Sequence, residues 1–197
     1  MFLGYDWPRL HAAVNDLPPA LLPLSVVFDL LGAFFKRESL KAAAFWTLVF
    51  GVLGTGAAIL AGLMAEDAVQ HSEQAHAIME THETLAFIVL AIFGLLAVWR
   101  ILRRGVWSER EQPIALTAGV IGVAILLYAS SLGGKLVFEH GLGIPTARLP
   151  VIVTERAAGH HHDEDEEAAP AAQAPMPMAP DTAKAGAARP PADTAKH

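Results

Sequence analysis

Residues 42–65 read AAAFWTLVFGVLGTGAAILAGLMA, a run of 24 positions without one charged side chain. A helix of that length rises about 36 Å, enough to cross a hydrocarbon layer of ~30 Å. Lipid offers no partner to backbone N–H and C=O groups, so a segment that crosses it must satisfy them internally, as a helix does. Three further apolar runs lie around it, at residues 17–35, 84–102 and 114–138. Together they predict an all-α fold: a multi-pass integral membrane protein built as an up-and-down bundle of four transmembrane helices. In the 42–65 run, Gly54, Ala58 and Gly62 recur every four residues beside Gly51 and Gly56. Such a line lets two helices approach closely in lipid. The fourth run carries Gly119, Gly122, Ala129, Ser130, Ser131, Gly133 and Gly134, a face suited either to tight packing or to the close approach of a flat ligand. No long internal repeat is evident in the letters.

Composition agrees with this reading. Hydrophobic residues are 53% of the chain and charged residues 17%, too little charge for a soluble domain of this length. Cysteine is absent, which excludes disulfides, thiolate zinc sites, cysteine-ligated iron–sulfur clusters, blue copper and covalent haem attachment. The net charge of −6 comes mostly from an acidic run near the C-terminus and points to no nucleic-acid partner. Residues 1–15 lack a basic start, a compact apolar run and a small-residue cleavage site, so the first span is expected to act as its own insertion signal.

Lysine and arginine set the expected orientation. Lys36, Arg37 and Lys41 follow the first span, and Arg100, Arg103, Arg104 and Arg110 follow the third. The loop between the second and third spans holds Glu66, Asp67, Glu73, Glu80 and Glu83 but no basic residue. The positive-inside rule then puts the basic loops in the cytoplasm and both termini outside, in a bacterial inner membrane. The expected organisation is an extracytoplasmic arm at 1–16, the four-helix domain at 17–145, and an extracytoplasmic tail at 146–197. That tail is Ala- and Pro-rich, carries His160-His161-His162 followed by Asp163-Glu164-Asp165-Glu166-Glu167, and is expected to be disordered.

This topology gathers His11, His71, His76, His82 and His140 at one membrane face. With a helix starting near Ser72, His82 shares a stripe with Ala75, Ile78, Met79, Leu85, Ala86 and Val89. An imidazole in that setting needs a partner, since an unpaired polar group among apolar ones costs a few kcal/mol; a neighbouring carbonyl or carboxylate would serve, and so would a ligand. His140 ends the fourth span at matching depth. Two imidazoles from different helices suit a divalent transition metal or the iron of haem b, and His11 offers a third nitrogen. His76 shares a polar face with Glu80 and Glu83, and His71 lies near the loop apex; both are expected in solvent. The triple histidine of the tail offers at most a weak metal site. Asp29, inside the first span, needs a partner of its own; Lys41 and Arg37 are the candidates within reach. Trp99 and Trp107 flank one end of the third span, as interfacial tryptophans do.

No phosphate-binding glycine loop, His-Glu-x-x-His or Gly-x-Ser-x-Gly occurs. The stretches Arg9-Leu10-His11, Val27-Phe28-Asp29 and Gly133-Gly134-Lys135-Leu136-Val137-Phe138-Glu139-His140-Gly141-Leu142-Gly143 resemble a bacterial membrane-protein family called domain of unknown function 2231. The similarity covers roughly residues 9–145. It implies a four-helix membrane protein with likeness to b-type cytochrome bundles, and matches His11, His82 and His140 to the family's histidines. One departure stands out: Asn15, followed by Asp16-Leu17-Pro18, occupies the place of a second histidine four residues after the first.

The leading expectation is a haem-b or metal-binding module for electron transfer, with His82 and His140 as ligands, His11 assisting, and other membrane or periplasmic redox subunits as partners. The alternatives are a non-catalytic subunit or assembly factor of a membrane complex, and a metal-handling protein.

Overall fold

The computed structural model describes residues 6–159. Helix α1 (Trp7–Val14) opens where the Asp6 side chain accepts from the Arg9 backbone N–H at 3.1 Å, with a proline at its first turn. A turn at Asn15-Asp16 separates it from α2 (Leu17–Phe35). Pro18 and Pro19 lack the N–H groups that a first turn leaves unpaired anyway, so they start α2 without loss. Helix α2 stops at Lys36, which takes the left-handed conformation at φ 51°. Helix α3 (Glu38–Glu66) follows at once. Helix α4 (Glu73–Leu102) starts at the expected place, the Ser72 hydroxyl capping the Ala75 N–H at 3.3 Å. Helix α5 (Glu111–Phe138) is the last long helix; a 3-10 turn (Thr146–Arg148) and the short α6 (Leu149–Ala157) come after it. Residues 146–157 were expected within an unstructured tail and are instead helical, while His160-His161-His162 and the rest of the tail lie outside the described residues.

Four helical stretches, one of them α1 with α2, are long and apolar enough to cross a membrane. The all-α multi-pass bundle is as expected. Helix α2 coincides with its apolar run, while α3, α4 and α5 begin before theirs, because their charged first turns belong to the helices rather than to loops. Helix α2 packs on α3 and α5, α4 packs on α5 and α3, and α1 lies along α3, so the four long helices form a closed ring. Its core holds Leu22, Leu48, Val89, Phe93, Leu96, Ala97, Ala115 and Leu126. Large apolar side chains such as Phe34, Leu60, Leu95 and Leu102 are exposed on the outside of the ring, the pattern that contact with a lipid bilayer demands.

The structure contains a repeat hidden in the letters. Every buried residue of α5, namely Ala115, Gly119, Gly122, Leu126, Ala129, Leu132 and Leu136, lies 71 positions beyond a buried residue of α3: Ala44, Leu48, Gly51, Thr55, Ala58, Ala61 and Ala65. Pro18, Leu22, Ser25 and Asp29 of α2 correspond in the same way to Val89, Phe93, Leu96 and Arg100 of α4. The contacts repeat too. A Cβ on Gly51 would meet the Leu22 side chain at 2.6 Å, and one on Gly122 would meet Phe93 at 2.7 Å. The bundle is therefore two helical hairpins of parallel orientation, α1–α2–α3 and α4–α5, related by a pseudo-two-fold axis along the bundle. The first half breaks its leading helix at Asn15-Asp16; the second runs straight through.

Candidate functional site

A cavity of about 420 Å³ opens at the end of the bundle where α1 and α4 begin, between the two hairpins. His11, Asn15, Glu66, His82 and Glu83 are the polar residues of main interest in its wall, which is otherwise mostly apolar and glycine-rich, with Ala58, Gly62, Ala129 and Gly133 among its members. His11 Nδ1 lies 2.9 Å from the Ala58 carbonyl oxygen, and His82 Nδ1 lies 2.8 Å from the Ala129 carbonyl oxygen. A carbonyl only accepts, so each Nδ1 must carry the proton. In the neutral ring this leaves Nε2 as a bare lone pair. Among the described residues neither Nε2 has a hydrogen-bond partner. A histidine that ligates a metal commonly donates its other N–H to a carbonyl in this way, which fixes tautomer and ring orientation.

Glycine makes room for both rings. A Cβ on Gly62 would come within 3.1 Å of the His11 ring, and one on Gly133 within 3.2 Å of the His82 ring. Each glycine sits one helical turn after the alanine whose carbonyl holds the ring. The small-residue faces noted in the sequence thus pack helices at Gly51 and Gly122 and seat imidazoles at Gly62 and Gly133.

The histidines do not all gather. His11 and His82 line one cavity; His140, half-buried in the turn after α5, is not among its lining residues. Asn15, in the place where the resemblance expects a second histidine, does line it. His71 and His76 stack at 5.2 Å in the α3–α4 turn, with His71 Nε2 3.2 Å from His76 Nδ1. His76 also comes within 3.5 Å of Glu80 and 3.9 Å of Glu66. Among the described residues no three His, Asp or Glu side chains are gathered so as to hold a metal ion.

The opposite end of the bundle holds a buried ion pair. Arg100 Nη1 donates to Asp29 Oδ2; Nη2 donates to the Lys41 carbonyl and Nε to the Gly105 carbonyl, these last two at 3.0 Å. Trp107 Nε1 donates to the same Asp29 oxygen at 3.3 Å, and its ring lies 5.3 Å from the guanidinium carbon. The partner of Asp29 is therefore neither Lys41 nor Arg37: Lys41 Nζ pairs with Glu38 at 2.8 Å. By sequence Arg100 groups with the loop cations, but α4 continues past it to Leu102, and its guanidinium lies inside the bundle. Asp29 Oδ1 is buried without a hydrogen-bond partner. The signal that would have found this pair is the spacing, since positions 29 and 100 are also 71 apart.

Among comparisons with known proteins, a family model described as a predicted membrane protein, DUF2231, matches residues 8–146. No curated protein and no solved structure matches the chain.

Proposed function

The chain belongs to the DUF2231 family of predicted membrane proteins, and we propose that it is a membrane-embedded cofactor-binding module whose cavity takes haem b for electron transfer. The observation that carries this reading is the pair of imidazoles, His11 and His82, each pinned through Nδ1–H to a backbone carbonyl and each lining the same apolar cavity. The cavity volume lies in the range of small-molecule and cofactor sites, which are mostly apolar with a few placed polar groups. Haem fits this donor set better than a bare ion does. A structural zinc ion takes four protein ligands and a catalytic one three, and no such group is gathered among the described residues. A porphyrin supplies four nitrogens itself and asks the protein for one or two. Bound there, haem iron would supply one-electron redox chemistry. His11 and His82 would hold the metal, the surrounding apolar wall would exclude water, and Glu66 and Glu83 would set the charge near the mouth. In this reading the basic end faces the cytoplasm, both termini and the cavity face the periplasm, and electrons pass to or from another membrane or periplasmic redox subunit.

The test is an absorption spectrum with metal analysis on the detergent-purified full chain from cells supplied with a haem precursor. A Soret band at about one haem per chain, lost in the H11A/H82A double variant, is the expected result. A colourless protein that stays colourless after hemin is added overturns the reading.

A further inference from the structure

The pseudo-two-fold axis relates the two histidines of the cavity. A residue and its counterpart 71 positions later meet only where the axis passes. Asp29 and Arg100 meet at one end of the bundle. His11 and His82 line a common cavity at the other. The two histidines are held by the same device: an Nδ1–H bond to an alanine carbonyl 47 residues further on, with the ring edge against the glycine one turn beyond it. The cavity is therefore two equivalent half-sites, each offering one Nε2 lone pair to a shared space.

We infer that the cavity binds a single ligand across the pseudo-two-fold axis, held from both hairpins by one imidazole each. Under the cofactor reading, the ligand that takes both lone pairs is a planar metal complex with two open coordination positions, so His11 and His82 are equal partners and His140 is not a ligand. Binding forms two nitrogen–metal bonds and displaces whatever occupied those positions; in the neutral Nδ1–H tautomer no proton leaves Nε2. This rests on the cofactor reading above, but claims in addition one ligand and two equal donors.

Two arms test it on the detergent-purified full chain. In the first, hemin is titrated into the wild-type chain and the H11A, H82A and H140A variants. One hemin per chain with a six-coordinate low-spin spectrum is expected for the wild type and for H140A. H11A and H82A should each shift to a five-coordinate high-spin spectrum, restored by free imidazole, which a merely misfolded variant would not be. Two hemins per chain, or one of the two variants indistinguishable from wild type, overturns the inference. In the second arm, H11C/H82C is treated with a short bis-maleimide; the chain has no cysteine of its own. One reagent bridging both thiols supports a shared space between the hairpins, and two separate adducts overturn it. A wild-type chain that binds no hemin removes the cofactor reading and the metal-complex ligand with it, and the bridging arm then decides on the shared half-sites alone.

Discussion

Asp29 and Arg100 show how a membrane bundle tolerates full charges. The Arg100 side chain is 1% exposed and that of Asp29 13%, so each depends on the other and on the carbonyls and indole around them. Removing one partner of a buried pair typically costs about 3–5 kcal/mol, because the remaining charge is left uncompensated. Asp29→Asn should therefore lower the thermal stability of the purified protein strongly, while D29N combined with Arg100→Met should recover much of the loss; a thermal unfolding series in detergent checks both. At this scale the sequence was only partly legible. That Asp29 needed a partner followed from its place within an apolar run. Which partner it has did not, since Lys41 and Arg37 lie nearer in sequence and Arg100 is 71 residues away. His82 was legible for a similar reason: one imidazole on an otherwise apolar stripe must bond something, and it bonds the Ala129 carbonyl. That it shares a cavity with His11 rather than with His140 depends on the course of the turn after α5, which hydropathy does not specify. The helix stops at Phe138, and His140 falls in the turn beyond.

Among the helices, close approach is governed by glycine. At Gly122 the nearest atoms are those of the Phe93 ring, 2.7 and 3.0 Å from an added Cβ, and a buried ring cannot swing aside. Gly122→Ala should cost about 1–3 kcal/mol, the usual range for overpacking a tight core. Gly51→Ala meets the end of the more flexible Leu22 side chain and should cost less. Gly56→Ala meets nothing within 4 Å and should be neutral or slightly stabilising, since alanine favours helix over glycine by about 1 kcal/mol. Equal losses at all three would count against the packing described. The apolar runs mark α2 over its full length, but not the first turns of α3, α4 and α5. The first turns of α3, α4 and α5 carry Glu38, Glu73 and Glu111, and acidic residues at a helix start oppose the positive end of its dipole favourably. Hydropathy alone reads such turns as loop. The α1 helix spans only eight residues, so the helical spacing of Trp7, Leu10 and Val14 covers two turns, too few to mark a helix by pattern alone.

For the molecule as a whole, the proposed orientation rests on where the cations lie. With the absence of native cysteine, Ser72→Cys and Ser108→Cys report on the two ends separately. A membrane-impermeant thiol reagent applied to intact cells should label S72C and spare S108C, and the reverse pattern would invert the proposed topology. The repeat stayed hidden because lipid-facing and core positions alike draw on a few apolar residue types, so two halves can drift in letters while keeping their burial pattern. Only contacts expose it.

One consequence of the crossing at Asp29 and Arg100 concerns the ancestry of such a bundle. Had two identical hairpins come together as separate chains, this spot would have set carboxylate against carboxylate, or guanidinium against guanidinium, in a medium that punishes repulsion severely. Opposite signs at equivalent places are open only to halves that have become different, and joining them head to tail lets each change without altering the other. Neither hairpin is now a substitute for its sibling: a pairing of either one with its own duplicate would fail at that single point.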